Sequence, residues 1–205
     1  MADDLPTLTK RAPHRITVVR HGATSWSRSG RHTGRTDLPL DAEGETDARA
    51  IPGRLAALDP PATPALVLTS PLRRAADTCR LAGFATPVLA EELLEWDYGD
   101  YEGRTTAEIQ AERPGWDLFH DGCPGGEAIA DVAGRVDRLL ERLAADPSLA
   151  GEEVLMFAHG HLLRVLCARW LHLGGREARH FVLGVGRLGR LSSEYSWPAI
   201  VSWNT

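Results

Sequence analysis

The sequence predicts an α/β fold: a three-layer α/β/α sandwich with a mostly parallel mixed central sheet. Short apolar runs alternate along the chain with segments of helical periodicity, which is typical of this class. With 43% hydrophobic and 25% charged residues, the composition is that of a globular protein. The 205 residues suffice for one domain with a sizeable core. We therefore expect a single domain over residues 1–205, with residues 1–14 as a loose leader before the first strand.

Four apolar runs are predicted as strands because they are short, often β-branched and bounded by turn residues. Two weaker candidates, RLSSEY and AIVSW, lie near the C terminus. The four stronger runs are ITVV (16–19), ALVLTS (65–70), PVLAEELLEW (87–96) and VLMFAHG (154–160).

Four further segments have the apolar spacing of helices. In the segment 127–146, the helix face that carries Arg135 is expected to be solvated. In the segment 40–58, Pro52 should kink or interrupt the helix. These segments are residues 40–58, 71–83, 127–146 and 161–173.

Charge and composition exclude several classes of protein. The chain has 23 basic and 28 acidic residues, and this net charge of −5 argues against nucleic acid as the main partner. No apolar run approaches the 18 residues of a membrane span, and the N terminus lacks the apolar core of a secretory signal. Three cysteines without a C-x-x-C pair argue against a disulfide framework or a zinc site. We expect a cytoplasmic protein with reduced thiols and without a membrane or a cofactor.

Polar and charged side chains follow the predicted strands, where ligands collect in such folds. Because the glycine after His21 imposes little steric bulk, it is expected to let the backbone approach a bound group closely. The residues at the strand ends are Arg20 and His21 after the first, Ser70, Arg73 and Arg74 after the second, Glu95 at the close of the third, and His159, Gly160 and His161 at the fourth.

This set of side chains suits phosphoryl transfer. Arginine forks bind phosphate oxygens, and an imidazole can attack phosphorus as a nucleophile. A carboxylate can protonate the leaving oxygen and later accept a proton from water. No metal ion is required if the cations stabilise the transferring group. A metal pair at His159 and His161 is the weaker interpretation, since zinc usually takes three or four protein ligands and no third is apparent.

Four motifs together resemble those of the histidine phosphatase superfamily, also called phosphoglycerate mutase-like. They are VRHGATSW, TSPLRRAADT, LLEWDYGDYEG and FAHGHLLR, in the order of that family. The resemblance extends from residue 16 to the C-terminal AIVSWN. It implies that His21 is the nucleophile that carries a transient phosphohistidine, and that Glu95 is the proton donor and later the base. It also implies a phosphate pocket of Arg20, Arg74 and His159.

Further substrate contacts are expected around this pocket. Residues 103–128 are interpreted as a lid-like insertion over the leaving group, and the remaining histidines, including His32, as surface or core residues. The expected substrate-binding residues are Arg20, Ser27, Thr33, Gly34, Arg74, Glu95, Tyr98, Arg104, His159, Gly160 and His161.

Within the family, the chain is similar to the phosphatase subgroup that contains fungal sedoheptulose-1,7-bisphosphatase. Mutases typically have glutamate after the RHG motif, where this chain has Ala23. We expect a metal-independent phosphomonoesterase that acts on a small phosphorylated metabolite, such as a sugar phosphate, at acidic to neutral pH. A cofactor-dependent phosphoglycerate mutase and a non-catalytic module that binds phosphorylated ligands are the alternatives. The sequence leaves a homo-oligomer open.

Overall fold

Six strands form one mixed sheet in the computed structural model, which describes residues 15–195 and 197–205. The strands are β1 (Arg15–Arg20), β2 (Leu66–Thr69), β3 (Val88–Leu89), β4 (Glu153–Ala158), β5 (Leu188–Glu194) and β6 (Trp197–Trp203). Their order is β3-β2-β4-β1-β5-β6, in which the first four are parallel and β5 is antiparallel to both of its neighbours. The mostly parallel mixed sheet and both C-terminal strands are confirmed. The expected leader at residues 1–14 lies outside the described residues.

Helices cover both faces of this sheet. They are α1 (Ser25–Ser29), α2 (Ala42–Ala56), α3 (Arg73–Leu81), α4 (Thr106–Glu112), α5 (Leu118–Asp121), α6 (Ile129–Ala145) and α7 (Gly160–Trp170). All of β4 is buried, as expected for a strand covered on both sides. Its Leu155 and Phe157 share a core cluster with side chains of α2 and α3. Val154 and Met156 belong to the larger cluster that contains α6 and α7, which confirms the three-layer architecture.

The expected interruption at Pro52 is wrong, because α2 runs unbroken from residue 42 to residue 56. A proline inside a helix costs about 3 kcal/mol, since it removes one backbone hydrogen bond. Ile51 and Leu55 are buried against the sheet on either side of it, and burying such side chains contributes about 1.5–3 kcal/mol each. Core packing of the flanking turns therefore offsets the local cost, and Pro52 itself is exposed.

The predicted strand over residues 87–96 is wrong beyond its first residues. Pairing stops at Leu89, a 3₁₀ turn follows at Glu91–Leu93, and the chain then runs irregularly past Glu95. The apolar residues that suggested a strand, Leu93 and Trp96, are instead loop side chains buried in the larger core cluster. Glu95 therefore reaches its position from a loop and not from a strand end.

No helix within the described ranges is both long and apolar enough to cross a bilayer.

Candidate active site

His21 directly follows β1 at the carboxyl edge of the parallel strands and is 4% exposed. Its Nδ1 atom lies 2.7 Å from the carbonyl oxygen of Gly22. Because a carbonyl oxygen only accepts hydrogen bonds, Nδ1 carries the proton and donates it. This bond fixes the ring and leaves the Nε2 lone pair available as a nucleophile.

Gly22 is required by packing at the start of α2. A Cβ atom at this position would lie 2.2 Å from the carbonyl oxygen of Gly44, well inside contact distance. The amide of Gly22 also donates to the Thr78 hydroxyl on α3, at 3.0 Å. This glycine thus allows close approach to the protein's own backbone, and its close approach to a ligand stays a prediction.

Arg20 presents an unsatisfied donor to the site. Its Nη1 donates to the carbonyl of Leu183 at 2.6 Å, but its buried Nε has no acceptor among the described residues. The guanidinium packs on Gly160, where a Cβ atom would lie 3.0 Å from its Cζ. Buried donors are almost always paired in folded proteins, so this N–H indicates a place for an anionic ligand.

Arg74 and His159 are buried close to His21, and the ring centroids of His159 and His21 are 5.2 Å apart. Arg74 Nε donates to His159 Nδ1 at 3.1 Å, and both Nη groups donate to carbonyls of residues 33–36. Because Nδ1 accepts that bond, the other ring nitrogen carries the proton and donates to the Ser70 hydroxyl at 2.8 Å. The His159 ring thus packs against the nucleophile, and Arg74 adds positive charge close to it.

Glu95 is 5% exposed and is held at the N terminus of α7. Its Oε1 accepts from the amides of Trp96 and Leu162, both at 2.9 Å, and its Oε2 accepts from the amide of His161 at 3.1 Å. These three amides fix the orientation of the carboxyl group. Oε2, with one such bond, retains a lone pair for a proton or a substrate.

A wall of polar and aromatic rings faces the reactive groups. The Tyr98 hydroxyl lies 2.6 Å from His161 Nδ1, and the His32 ring packs 4.7 Å from the Tyr98 ring. Thr106 Oγ1 is 3.3 Å from His32 Nε2. Each of these groups can exchange hydrogen bonds with hydroxyls of a ligand.

These groups surround a cavity of about 230 Å³. The predicted residues that line it are Arg20, His21, Ser27, Thr33, Glu95, Tyr98, Gly160 and His161. The cavity is also lined by residues to which the sequence gives no individual substrate-binding role: Gly30, Arg31, His32, Thr106 and Arg164.

Four predicted site residues, Gly34, Arg74, Arg104 and His159, are not part of this wall in the described structure. A Cβ atom on Gly34 would lie 2.5 Å from the Trp96 carbonyl oxygen, so this glycine serves loop packing. Arg104 instead forms an ion pair with Glu112, at 2.7 Å.

Ser27 lines the cavity, but its hydroxyl has partners within α1. The Oγ atom accepts from the amide of Thr24 at 2.8 Å and donates to the carbonyl of the same residue at 3.0 Å. Together with the Thr24 side chain it forms a capping box that closes the first turn of α1. A role in binding phosphate would require this hydroxyl to exchange partners, so it stays a prediction.

From the segment 103–128, Thr106 lines the cavity, and the segment is anchored in the core. Ile109, Trp116 and Phe119 are buried in the larger cluster, and Phe119 packs 5.5 Å from the ring of His161. Its function as a lid stays a prediction.

Burial lowers the pKa of the histidines in this site. The pKa of His21 falls well below 6.5 because the ring is buried and because Arg74 and Arg20 lie close to it. Burial also lowers the pKa of His159 well below 6.5, and that of His32 to about 4. His21 therefore stays neutral, and nucleophilic, well into the acidic range.

Acid should destabilise the fold through these histidines. In the unfolded chain they titrate near pH 6.5, so below that pH the unfolded state binds more protons. For each histidine that the fold keeps neutral, the free energy of unfolding should fall by up to about 1.4 kcal/mol for every pH unit of acidification below 6.5. The stability linked to these neutral histidines is fully present above pH 6.5. It is lost as the pH falls from there towards their pKa values in the folded protein. Urea denaturation at pH 7 and pH 5 measures this, and equal stability at both would contradict it. His32→Gln should reduce the slope.

The described residues contain no group of three or more His, Cys, Asp or Glu side chains placed to hold a metal ion.

Comparison with known proteins agrees with this geometry. A sequence profile described as histidine phosphatase superfamily (branch 1) matches residues 16–205. An acid phosphatase of Mycobacterium tuberculosis is 38% identical over 185 residues, which cover 89% of this chain and 88% of the relative. A sedoheptulose 1,7-bisphosphatase of Saccharomyces cerevisiae is 34% identical, and the match covers 83% of this chain and 70% of that relative. The solved structure of the product of an open reading frame from M. tuberculosis superposes with a TM-score of 0.85 at 36% identity. The superposition covers 93% of this chain and 97% of that one. A bisphosphoglycerate-dependent phosphoglycerate mutase of Rhizobium etli also matches, at 33% identity with 74% and 77% covered.

Proposed function

Because the chain belongs to the histidine phosphatase superfamily and is a histidine phosphatase, we propose that it hydrolyses a small sugar phosphate without a metal ion, through a phosphohistidine at His21. The observation that carries this proposal is the placement of the His21 imidazole, with its Nε2 free, beside the unpaired Nε of Arg20 and the carboxylate of Glu95.

The first step transfers the phosphoryl group to the protein. His21 Nε2 attacks phosphorus, so the N–P bond forms as the ester P–O bond breaks. The leaving oxygen takes a proton from Glu95 and departs as an alcohol. The Arg20 guanidinium and the positive charge of the buried Arg74 stabilise the charge on the phosphoryl oxygens.

The second step regenerates the site. Glu95, now ionised, accepts a proton from water while the water oxygen bonds to phosphorus. The N–P bond breaks, which releases inorganic phosphate and restores neutral His21. The positive charge contributed by arginines performs the stabilising role that a metal ion has in other phosphoryl-transfer sites.

The size and lining of the cavity favour a small polyhydroxylated leaving group. Its volume of about 230 Å³ lies below the roughly 300–1,000 Å³ of pockets for drug-sized ligands. The wall offers hydroxyl and imidazole groups from Thr33, Tyr98 and His161, which suit sugar hydroxyls. The relative named sedoheptulose 1,7-bisphosphatase supports the same class of substrate.

The thiols favour a reducing compartment, and we propose a cytoplasmic location. Cys79, Cys123 and Cys167 are free and buried, and burial raises the pKa of each to about 12. Such thiols are protonated at neutral pH and unreactive, consistent with a packing role.

A substrate panel tests the proposed function. Initial rates of phosphate release should be highest for sugar phosphates, lower for nucleotides and phospho-amino acids, and unchanged by EDTA. Because arginines supply the positive charge that stabilises the phosphoryl group, the proposed mechanism uses no metal ion that EDTA could remove. Loss of activity in EDTA that zinc restores would revive the metal interpretation.

The same panel separates the two alternatives. Conversion of 3-phosphoglycerate to 2-phosphoglycerate, primed by a bisphosphate and faster than phosphate release, would indicate a mutase. Tight binding of phosphate esters without hydrolysis would indicate a binding module.

A further inference from the structure

Arg135 is the buried centre of a hydrogen-bonded cluster behind Glu95. The sequence predicts a solvated position for it on α6, and this expectation is wrong, since the residue is 7% exposed. Its Nη1 donates to the carbonyls of Glu92 and Leu94 at 2.9 and 2.6 Å, and its Nη2 donates to the carbonyl of Glu95 at 3.1 Å. One side chain thus satisfies three carbonyls of a loop that has no neighbouring strand to pair with.

Glu127 completes this cluster from the other side of the loop. Its carboxylate accepts from Arg135 Nε at 2.8 Å and Nη2 at 2.9 Å, a bidentate pair. Glu127 Oε2 also accepts from the amide of Asp97 at 2.8 Å, and the Glu127 carbonyl accepts from the Trp96 indole at 2.8 Å. The backbone is therefore held on both sides of Glu95.

We propose that Arg135 and Glu127 are positioning residues for proton transfer, which set the placement of the Glu95 carboxylate relative to the leaving oxygen without touching the substrate. The proposal rests on the proposed function, in which Glu95 is the proton donor.

The need for such a pair follows from how Glu95 is held. Regular strand pairing ends at Leu89, so no ladder fixes the backbone at Glu95. The carboxylate must nevertheless reach the amides of His161 and Leu162 on α7, at 3.1 and 2.9 Å. A displacement of about 1 Å in a reacting group can cost roughly 100-fold in rate. A pair that fixes the loop backbone therefore controls the step in which Glu95 acts.

Two esters with different leaving groups separate positioning from general stability. An alkyl ester such as glycerol 3-phosphate needs a proton on its departing alkoxide, whereas p-nitrophenolate leaves without one. Misplacing Glu95 should thus lower kcat/KM for the alkyl ester but not for p-nitrophenyl phosphate. Partial unfolding would lower both equally.

The experiment compares Arg135→Gln, Arg135→Lys and Glu127→Gln with Arg138→Gln, a control at an exposed arginine of the same helix. We expect Arg135→Gln and Glu127→Gln to lower kcat/KM for glycerol 3-phosphate about 10- to 100-fold and that for p-nitrophenyl phosphate less than threefold. Arg135→Lys should be intermediate, because it keeps the charge but loses the fork. The inhibition constant for inorganic phosphate and the rates of Arg138→Gln should be unchanged.

The results that overturn the proposal are distinct from failure of the proposed function. Equal losses on both esters, or no loss in any of the three folded variants, would assign Arg135 and Glu127 to the fold alone. Thermal unfolding identifies variants that are folded at the assay temperature, and Arg135→Lys is the mildest of them. If Glu95→Gln loses activity equally on the two esters, or on neither, the proposed role of Glu95 fails first, and this inference fails with it.

Discussion

Replacing His21 with alanine should lower kcat/KM for every phosphate ester by at least about 10³-fold, because no other group can accept the phosphoryl group. Removing a catalytic nucleophile from a hydrolase that works through a covalent intermediate costs up to about 10⁶-fold. The histidine ring that packs against His21 is that of His159, and both of its nitrogens already have partners, Arg74 and Ser70. Initial rates with the best sugar phosphate and with p-nitrophenyl phosphate measure the loss.

The matched control for this variant is His180→Ala, at an exposed histidine outside the cavity. It should retain full activity. The protein with His21→Ala should stay folded, since removal of this ring leaves a space beside a polar cavity and not in the apolar core. Activity of His21→Ala within tenfold of the unsubstituted protein would exclude the covalent mechanism at this residue.

Replacing Glu95 with glutamine should produce a loss that depends on the leaving group. The amide keeps the shape and can still accept at its oxygen, but it cannot donate a carboxylic proton or act as a base. General acid catalysis is worth about 10²–10⁴-fold, so kcat/KM for an alkyl phosphate should fall by that factor. For p-nitrophenyl phosphate, kcat/KM should change little, while kcat should fall because water attack on the phosphohistidine still needs the base. A burst of p-nitrophenol followed by slow turnover is the expected time course.

Glu91→Gln, four residues earlier and exposed, is the control and should behave as the unsubstituted protein does. A uniform loss on both esters in Glu95→Gln would mean that the carboxylate acts through charge or structure and not through its proton.

The positions of Arg20, His21 and His159 were predictable because regular elements place them. Each lies at the end of a strand with a clear apolar signature, and the carboxyl ends of parallel strands meet at one edge of the sheet. Arg74 follows the same rule, in the first turn of α3. For these residues, the order along the chain is enough to bring the side chains together.

The position of Glu95 was predicted for a wrong reason. The apolar pattern predicts the end of a strand here, whereas a loop carries Glu95 and side chains hold that loop. Arg135, the residue that satisfies that loop, has the sequence spacing of an exposed helical residue, because periodicity does not identify which charged side chain finds a buried partner. Only the tertiary packing of α6 against the loop determines this.

His32 illustrates a second limit of the sequence. A single histidine in a polar loop has no periodic or motif signal, and we expected a surface or core residue. The structure buries it against Tyr98 and Trp116, with its other neighbours on the cavity wall. Its adjacency to Thr33, a residue that the family resemblance places at the substrate, is a local signal that could have indicated it.

Trapping the phosphorylated protein tests the central claim most directly. Glu95→Gln is mixed with ³²P-labelled substrate carrying an activated leaving group, quenched within milliseconds to seconds, and digested to locate the label. We predict one phosphate per chain on the peptide that contains His21, stable in base and lost in acid, and absent when His21 is also alanine. Turnover by the unsubstituted protein without any label on His21, or with a base-labile label on another residue, would contradict the account.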